Sequence, residues 1–168
     1  MDTDLLKTRD LEAVVSRILA LRREGKKIVF TNGCFDLLHA GHILSIRQAR
    51  GLGDVLVVGL NSDDSVRRLK GPDRPAVPLA RRKAMLEALE WVDFVIPFEE
   101  DTPRRLLEAI RPDVLAKGGD WKEKGASGAD FVRSYGGVVC YTDYEPGVST
   151  TALIEKERAA GQREDRRE

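Results

Sequence analysis

The sequence predicts a single α/β domain over residues 1–157, built on a five-stranded, doubly wound, Rossmann-like parallel sheet. Three observations carry that expectation. Short apolar runs alternate along the chain with stretches of helical spacing. The second of them, through Val55-Leu56-Val57-Val58, is continuously apolar, the pattern of a parallel strand covered on both faces. The polar and glycine-rich segments mostly follow the runs, at the sheet end where ligands bind in such folds.

Taken in order, residues 10–23 carry Leu11, Val14, Val15, Ile18, Leu19 and Leu21 close to helical period. Asp10 suits the cap and Gly25 the stop, so a helix is expected over about 10–24. Ile28-Val29-Phe30 is the first strand; residues 31–42 are a loop and 43–50 a helix. Gly51 and Gly53 turn the chain into a second strand over 54–60. Asn61-Ser62-Asp63-Asp64 is a loop of helix-capping residues. Residues 67–75 are basic, rich in turn formers and poor in anything to bury, and are expected as an exposed, mobile loop. A helix over 78–89 with Pro78 in its first turn leads to a strand over 92–96, ended by Pro97. Thr102 caps and Pro103 opens a helix over 102–110. A strand over 112–116 is followed by Lys117-Gly118-Gly119-Asp120. A helix over 126–135, closed by Gly136-Gly137, precedes a strand over 138–141. Ser149 caps a last helix, and the charged residues 158–168 are expected to be a disordered tail.

Bulk properties exclude several function classes. With 28 basic and 28 acidic residues, the chain has no whole-molecule attraction to nucleic acid or to an anionic membrane. No apolar run approaches the length of a membrane span, and Met1-Asp2-Thr3-Asp4 lacks the basic start of a signal peptide. A cytoplasmic protein is expected. Cys34 and Cys140 lie far apart without metal-ligand spacing and read as two reduced thiols.

The stretch richest in chemistry runs from Thr31 through Asn32-Gly33-Cys34-Phe35-Asp36 to His39-Ala40-Gly41-His42. Strand, tight loop and helix start together aim backbone N–H groups and the positive helix end at an anion. Gly41 permits close approach of a ligand, and two imidazoles add donors. Those donors suit charge building on a phosphoryl group. The residue types alone leave other readings open: capping and surface packing of the histidines, a zinc site short of a third ligand, or a nucleophilic Cys34 with a histidine base.

The chain resembles the nucleotidyltransferase superfamily of cytidylyltransferases and adenylyltransferases that carry the HxGH motif. The resemblance rests on His39-Ala40-Gly41-His42 and on later segments in the expected order. These are Gly59-Leu60-Asn61-Ser62-Asp63, Arg68-Leu69-Lys70-Gly71, Val77-Pro78-Leu79 with Arg82, residues 95–103, Lys117-Gly118-Gly119-Asp120 and Gly147-Val148-Ser149-Thr150-Thr151. As a set, covering about residues 10–157, they are most similar to the heptose 1-phosphate nucleotidyltransferases of bacterial lipopolysaccharide biosynthesis.

The resemblance implies transfer of AMP from ATP to D-glycero-D-manno-heptose 1-phosphate, with Mg²⁺ accompanying ATP and no metal site on the protein. It implies His39, His42 and Lys70 as the catalytic set. Asn32, Gly33, Cys34, Phe35, Gly41, Lys117, Gly118, Asp120, Ser149, Thr150 and Thr151 are the implied nucleotide contacts. Asp36, Asp63 and Arg82 are the implied acceptor contacts, with Asp36 holding loop geometry. A homodimer is the family expectation. A separate heptose kinase and phosphatase are expected as pathway neighbours. A GDP-heptose-forming guanylyltransferase, a glycerol-3-phosphate cytidylyltransferase and an FMN adenylyltransferase would keep the site and change the substrate. A nucleotide-binding module without catalysis is the alternative of another class. Asp143-Tyr144-Glu145-Pro146 stands where glycerol-phosphate cytidylyltransferases carry an arginine, which disfavours that acceptor.

Overall fold

A computed structural model describes the backbone of residues 3–143, with side-chain surroundings from residue 11 onward, Asp120 excepted. The helix expected after Ser149 and the tail at 158–168 lie outside the described residues. Strands β1 (Ile28–Gly33), β2 (Val55–Asn61), β3 (Phe94–Phe98), β4 (Val114–Gly118) and β5 (Val138–Thr142) form one sheet. Its order is β3-β2-β1-β4-β5, with every pairing parallel. The chain winds outward from β1 to β3, then returns to the other side of β1 for β4 and β5. The winding reverses between β1 and β4, and that boundary is where a doubly wound sheet opens a crevice.

Both faces of the sheet are covered, which is why β1, β2 and β4 begin in continuous apolar runs and turn polar only toward their C-terminal ends. Ile28, Phe30, Val55 and Val57 pack on one face with Ile18 of α1 (Thr3–Arg23), Leu106, Leu107 and Ile110 of α5 (Arg104–Ile110), and Val132 of α6 (Ala129–Ser134). Val29, Leu56 and Val58 pack on the other with Ile46 and Ala49 of α2 (Ala40–Arg50) and Leu86 of α4 (Leu79–Glu87). Successive residues of a strand alternate between these two cores.

Where the elements differ from the sequence reading, local physics explains most of it. The first helix starts at Thr3, because nothing before Asp10 breaks it. Residues 67–70 are helical, not loop: they end α3 (Asp63–Lys70). Ser62 caps it by accepting from the Ser65 N–H, Asp63 and Asp64 lie in its first turn, and Arg67, Arg68 and Lys70 in its last. Both charge sets complement the helix dipole, and Val66 is buried. Pro97 lies inside β3 rather than ending it, opposite Leu60. That is tolerated because β3 is an edge strand, where one side needs no ladder donor. The cap of α5 is Pro103 rather than Thr102, and α6 is shorter than expected. Gly59 in β2 is a packing requirement, since a Cβ there would stand 2.7 Å from Phe30 Cζ and 3.2 Å from Asn32 Cβ. Among the described residues, no helix is long and apolar enough to cross a membrane.

Candidate active site

The β1–β2 ladder runs the full length of β1, whereas β1 and β4 pair only at Val29–Val114 and Phe30–Leu115. Beyond Phe30 the two strands part. Lys117, 5% exposed, fills the split: its Nζ donates to the Asn32 carbonyl at 3.1 Å and to Asn32 Oδ1 at 2.7 Å. The ammonium thus replaces ladder bonds that the strands no longer make, and it lies 5.1 Å from the Trp121 ring centre. The sequence reading had both residues on the nucleotide. The structure brings them together and gives them first to each other. Gly118 ends β4, and Gly119 to Trp121 make a 3-10 turn. The Asp120 side chain and residues Ser149, Thr150 and Thr151 lie outside the described residues.

After β1 the chain turns sharply at Phe35, whose φ of 43° is in the left-handed region and strained for a non-glycine residue. Its ring packs against Gly33, where a Cβ would stand 3.1 Å away, and lies 5.3 Å from the His42 ring. The turn delivers the chain to His39, the extended N-cap of α2. No side chain caps this helix, and its first turn holds no acid. It therefore presents unneutralised N–H groups at Ala40, Gly41 and His42. The His39 and His42 rings stack with centres 3.8 Å apart.

His42 Nδ1 is buried with no hydrogen-bond partner among the described residues. Burial, with the neighbouring His39 adding to it, lowers the His42 pKa from 6.5 to about 4; the Leu37 backbone opposes both. The ring is neutral at pH 7. Between about pH 4 and 6.5 the unfolded chain binds the proton that the folded chain refuses, so stability falls as pH drops through that window. The loss is on the order of 3 kcal/mol once pH is below the folded value. The C–H resonances of the two histidines can be followed by NMR: the His42 midpoint is expected near 4 without nucleotide and higher when phosphates bind. A midpoint of 6.5 in the unliganded protein would contradict this environment.

Asp36 is 2% exposed and accepts three hydrogen bonds. Its Oδ2 accepts from Arg74 Nε at 2.6 Å and from the Ala76 N–H at 3.0 Å, and its Oδ1 from the Val77 N–H at 2.9 Å. Burial pushes the carboxyl pKa up, but the Val77 and Ala76 N–H groups and Arg74 outweigh it, leaving the value below the ordinary range. The segment expected as a free basic loop is therefore pinned at residues 74–77 by the loop after β1. The Arg74–Pro75 peptide is cis.

Arg82, 1% exposed, ties the same pieces from beneath. Its Nε donates to the Val77 carbonyl at 2.8 Å, and Nη1 to the Cys34 and Asn61 carbonyls at 2.6 and 2.9 Å. Nη2 donates to Asp63 Oδ1 at 2.6 Å. Four of the five guanidinium donors are thus internal. The structure turns Arg82 and Asp63 toward each other, with three carbonyls of the surrounding loops within reach of the guanidinium. Lys70 is exposed at the end of α3. Burial pushes the Cys34 thiol pKa up, against the pull of Lys70, Arg82 and Arg74. A raised thiol is the reverse of an activated nucleophile. Three cations nevertheless bear on the loop after β1.

Two further ties escaped sequence reasoning. Ser45 and Thr142 hydroxyls meet at 2.7 Å. Gln48 exchanges two bonds with Asp143, Nε2 donating to Oδ2 at 2.6 Å and Oε1 accepting the Asp143 N–H at 2.7 Å. They fasten α2 to the end of β5. Nothing local marks them, since the partners lie about a hundred residues apart. Among the described residues no three His, Cys, Asp or Glu side chains gather as a metal cage.

Comparison with known proteins agrees with this fold. A cytidylyltransferase-like family model matches residues 30–156. The chain is 51% identical to the bifunctional protein HldE of Geotalea uraniireducens over 94% of its own length and 32% of the relative's. It is 56% identical to HldE of Hahella chejuensis over 82% of this chain and 29% of that one. It therefore spans about a third of the length of the curated relatives it matches. Among solved structures, the lipopolysaccharide core biosynthesis protein of Thermoplasma volcanium superposes with a TM-score of 0.58 at 26% identity, covering 71% of this chain and 97% of that one.

Proposed function

The chain belongs to the cytidylyltransferase-like family, and from that premise we propose that it transfers AMP from ATP to D-glycero-D-manno-heptose 1-phosphate, giving ADP-heptose and pyrophosphate. The observation that carries this reading is the uncapped start of α2, with its stacked histidines, beside the parting of β1 and β4. The sugar is supported by the ordered motifs and by the likeness to a lipopolysaccharide core biosynthesis protein.

In the proposed reaction an acceptor phosphate oxygen attacks the α-phosphorus in line. The new P–O bond forms as the bond to pyrophosphate breaks, and pyrophosphate leaves with the electron pair. The second ionisation of a phosphate monoester lies near pH ~6, so no general base is required. The protein's work is positioning and charge stabilisation. The α2 N–H groups and the His39 and His42 rings meet the phosphates; Lys70 faces them from the end of α3. Lys117 and Asn32 hold the β1 end in place, and the loop from Gly118 onward takes the nucleoside. Mg²⁺ accompanies ATP and neutralises charge on its phosphates. The donor set fits an ion carried by the nucleotide, because both Asp36 oxygens already accept hydrogen bonds and no protein cage gathers nearby among the described residues. A cytoplasmic homodimer, fed by a heptose kinase and phosphatase, completes the proposal.

The test is pyrophosphate release with ATP, GTP or CTP, each paired with heptose 1-phosphate, glycerol 3-phosphate or FMN. Release is expected with ATP and heptose 1-phosphate. Release with another pair would reassign the substrate, and none with any pair would leave a binding module.

A further inference from the structure

We propose that Arg74 is a substrate-binding residue whose guanidinium, clamped by Asp36, receives the phosphate of the acceptor. This rests on the transferase reading above.

Arg74 meets Asp36 through Nε, not through the two-pronged fork that a guanidinium and a carboxylate ordinarily form. The Ala76 N–H shares Oδ2 with Arg74 Nε, and the Val77 N–H takes Oδ1. The terminal nitrogens of Arg74 have no partner among the described residues, yet its side chain is only 13% exposed. The result is a fixed cation that presents two parallel donors at the edge of the loop after β1. That is the geometry that matches two oxygens of a phosphate. Clamping by Asp36 has already met the cost of ordering a long side chain.

Its position separates it from the side of the site where the nucleoside is placed. Arg74 follows α3 on the β2 side of β1, whereas Lys117 and Trp121 stand on the β4 side. The loop from Cys34 to His39 lies between them. An acceptor must approach the α-phosphorus opposite the departing pyrophosphate, so its phosphate needs a cation away from the histidines. Arg74 is close enough to that loop to bear on Cys34, while Arg82 is committed internally.

Inorganic phosphate serves as the probe, titrated calorimetrically into protein saturated with a non-hydrolysable ATP analogue and Mg²⁺. Arg74→Lys keeps a cation for Asp36 but loses the two-pronged donor. It is expected to weaken phosphate binding at least about tenfold, leave affinity for the analogue unchanged, and raise KM for heptose 1-phosphate but not for ATP. On the unmutated protein, phosphate is expected to shield Arg74 from phenylglyoxal, read by peptide mass, which needs no variant to fold. Wild-type phosphate affinity in Arg74→Lys, loss of analogue affinity instead, or no shielding of Arg74 each overturns the assignment. Failure of the unmutated protein to make pyrophosphate with any pair would refute the proposed function, while the titration and shielding still decide Arg74.

Discussion

Replacing His42 with alanine is expected to lower kcat by about 10²–10³ while leaving the fold nearly intact. The resting protein gains little from this ring. Its Nδ1 is buried without a partner among the described residues, a cost to the folded state that a methyl group removes. Against that relief, alanine gives up the ring's hydrogen bond to the Leu37 backbone, its stack on His39 and its approach to Phe35. The stability change is therefore expected within about 1 kcal/mol. During transfer the same ring is a donor beside the helix start, where negative charge grows on the phosphoryl oxygens and water competes poorly. Rate and unfolding midpoint should separate: steady-state turnover falls, and the urea midpoint stays. A variant that turns over normally would remove His42 from the chemistry. One that unfolds would make the histidine stack structural.

Arg82→Ala is expected to do the opposite, costing about 3–5 kcal/mol of stability before any question of rate arises. The guanidinium connects the loop after β1, the end of β2, the segment at Val77 and the start of α3. Its removal leaves three carbonyl acceptors and the Asp63 carboxylate without their donor. Asp63 is about one-third exposed in its side chain and recovers water, so most of the loss comes from the buried carbonyls. Against a typical total of about 5–15 kcal/mol, that is a large fraction. Urea denaturation checks it. A midpoint close to wild type, with a raised KM for substrate, would show that Arg82 serves the ligand and not the scaffold.

The sequence was most legible where the physics is local. The doubly wound sheet followed from continuous apolar runs, because a strand packed on both faces has no polar side to reveal. The helix start proposed to meet phosphate was marked by a glycine and two histidines after a strand. The boundaries that moved did so for reasons of context. Pro97 reads as a stop until the strand holding it is known to be an edge. Residues 67–70 read as loop until Ser62 is seen to cap a helix whose one buried apolar side chain, Val66, is too little for periodicity to register.

What the sequence by itself determined is the class of fold and the order of its strands, and it singled out the stretch from Thr31 to His42 as the loop proposed to face phosphate. Tertiary structure alone decided how the charged residues are divided between scaffold and site. Arg74 and Arg82 are equally basic in the sequence, and Asp36 and Asp63 equally acidic. Asp36 meets Arg74 across 38 residues, Arg82 meets Asp63 across 19, and Lys117 meets Asn32 across 85. Whether a charge is used within the fold or left for a ligand depends on which partners the winding of the sheet brings within hydrogen-bond reach. A linear pattern carries no record of those distances.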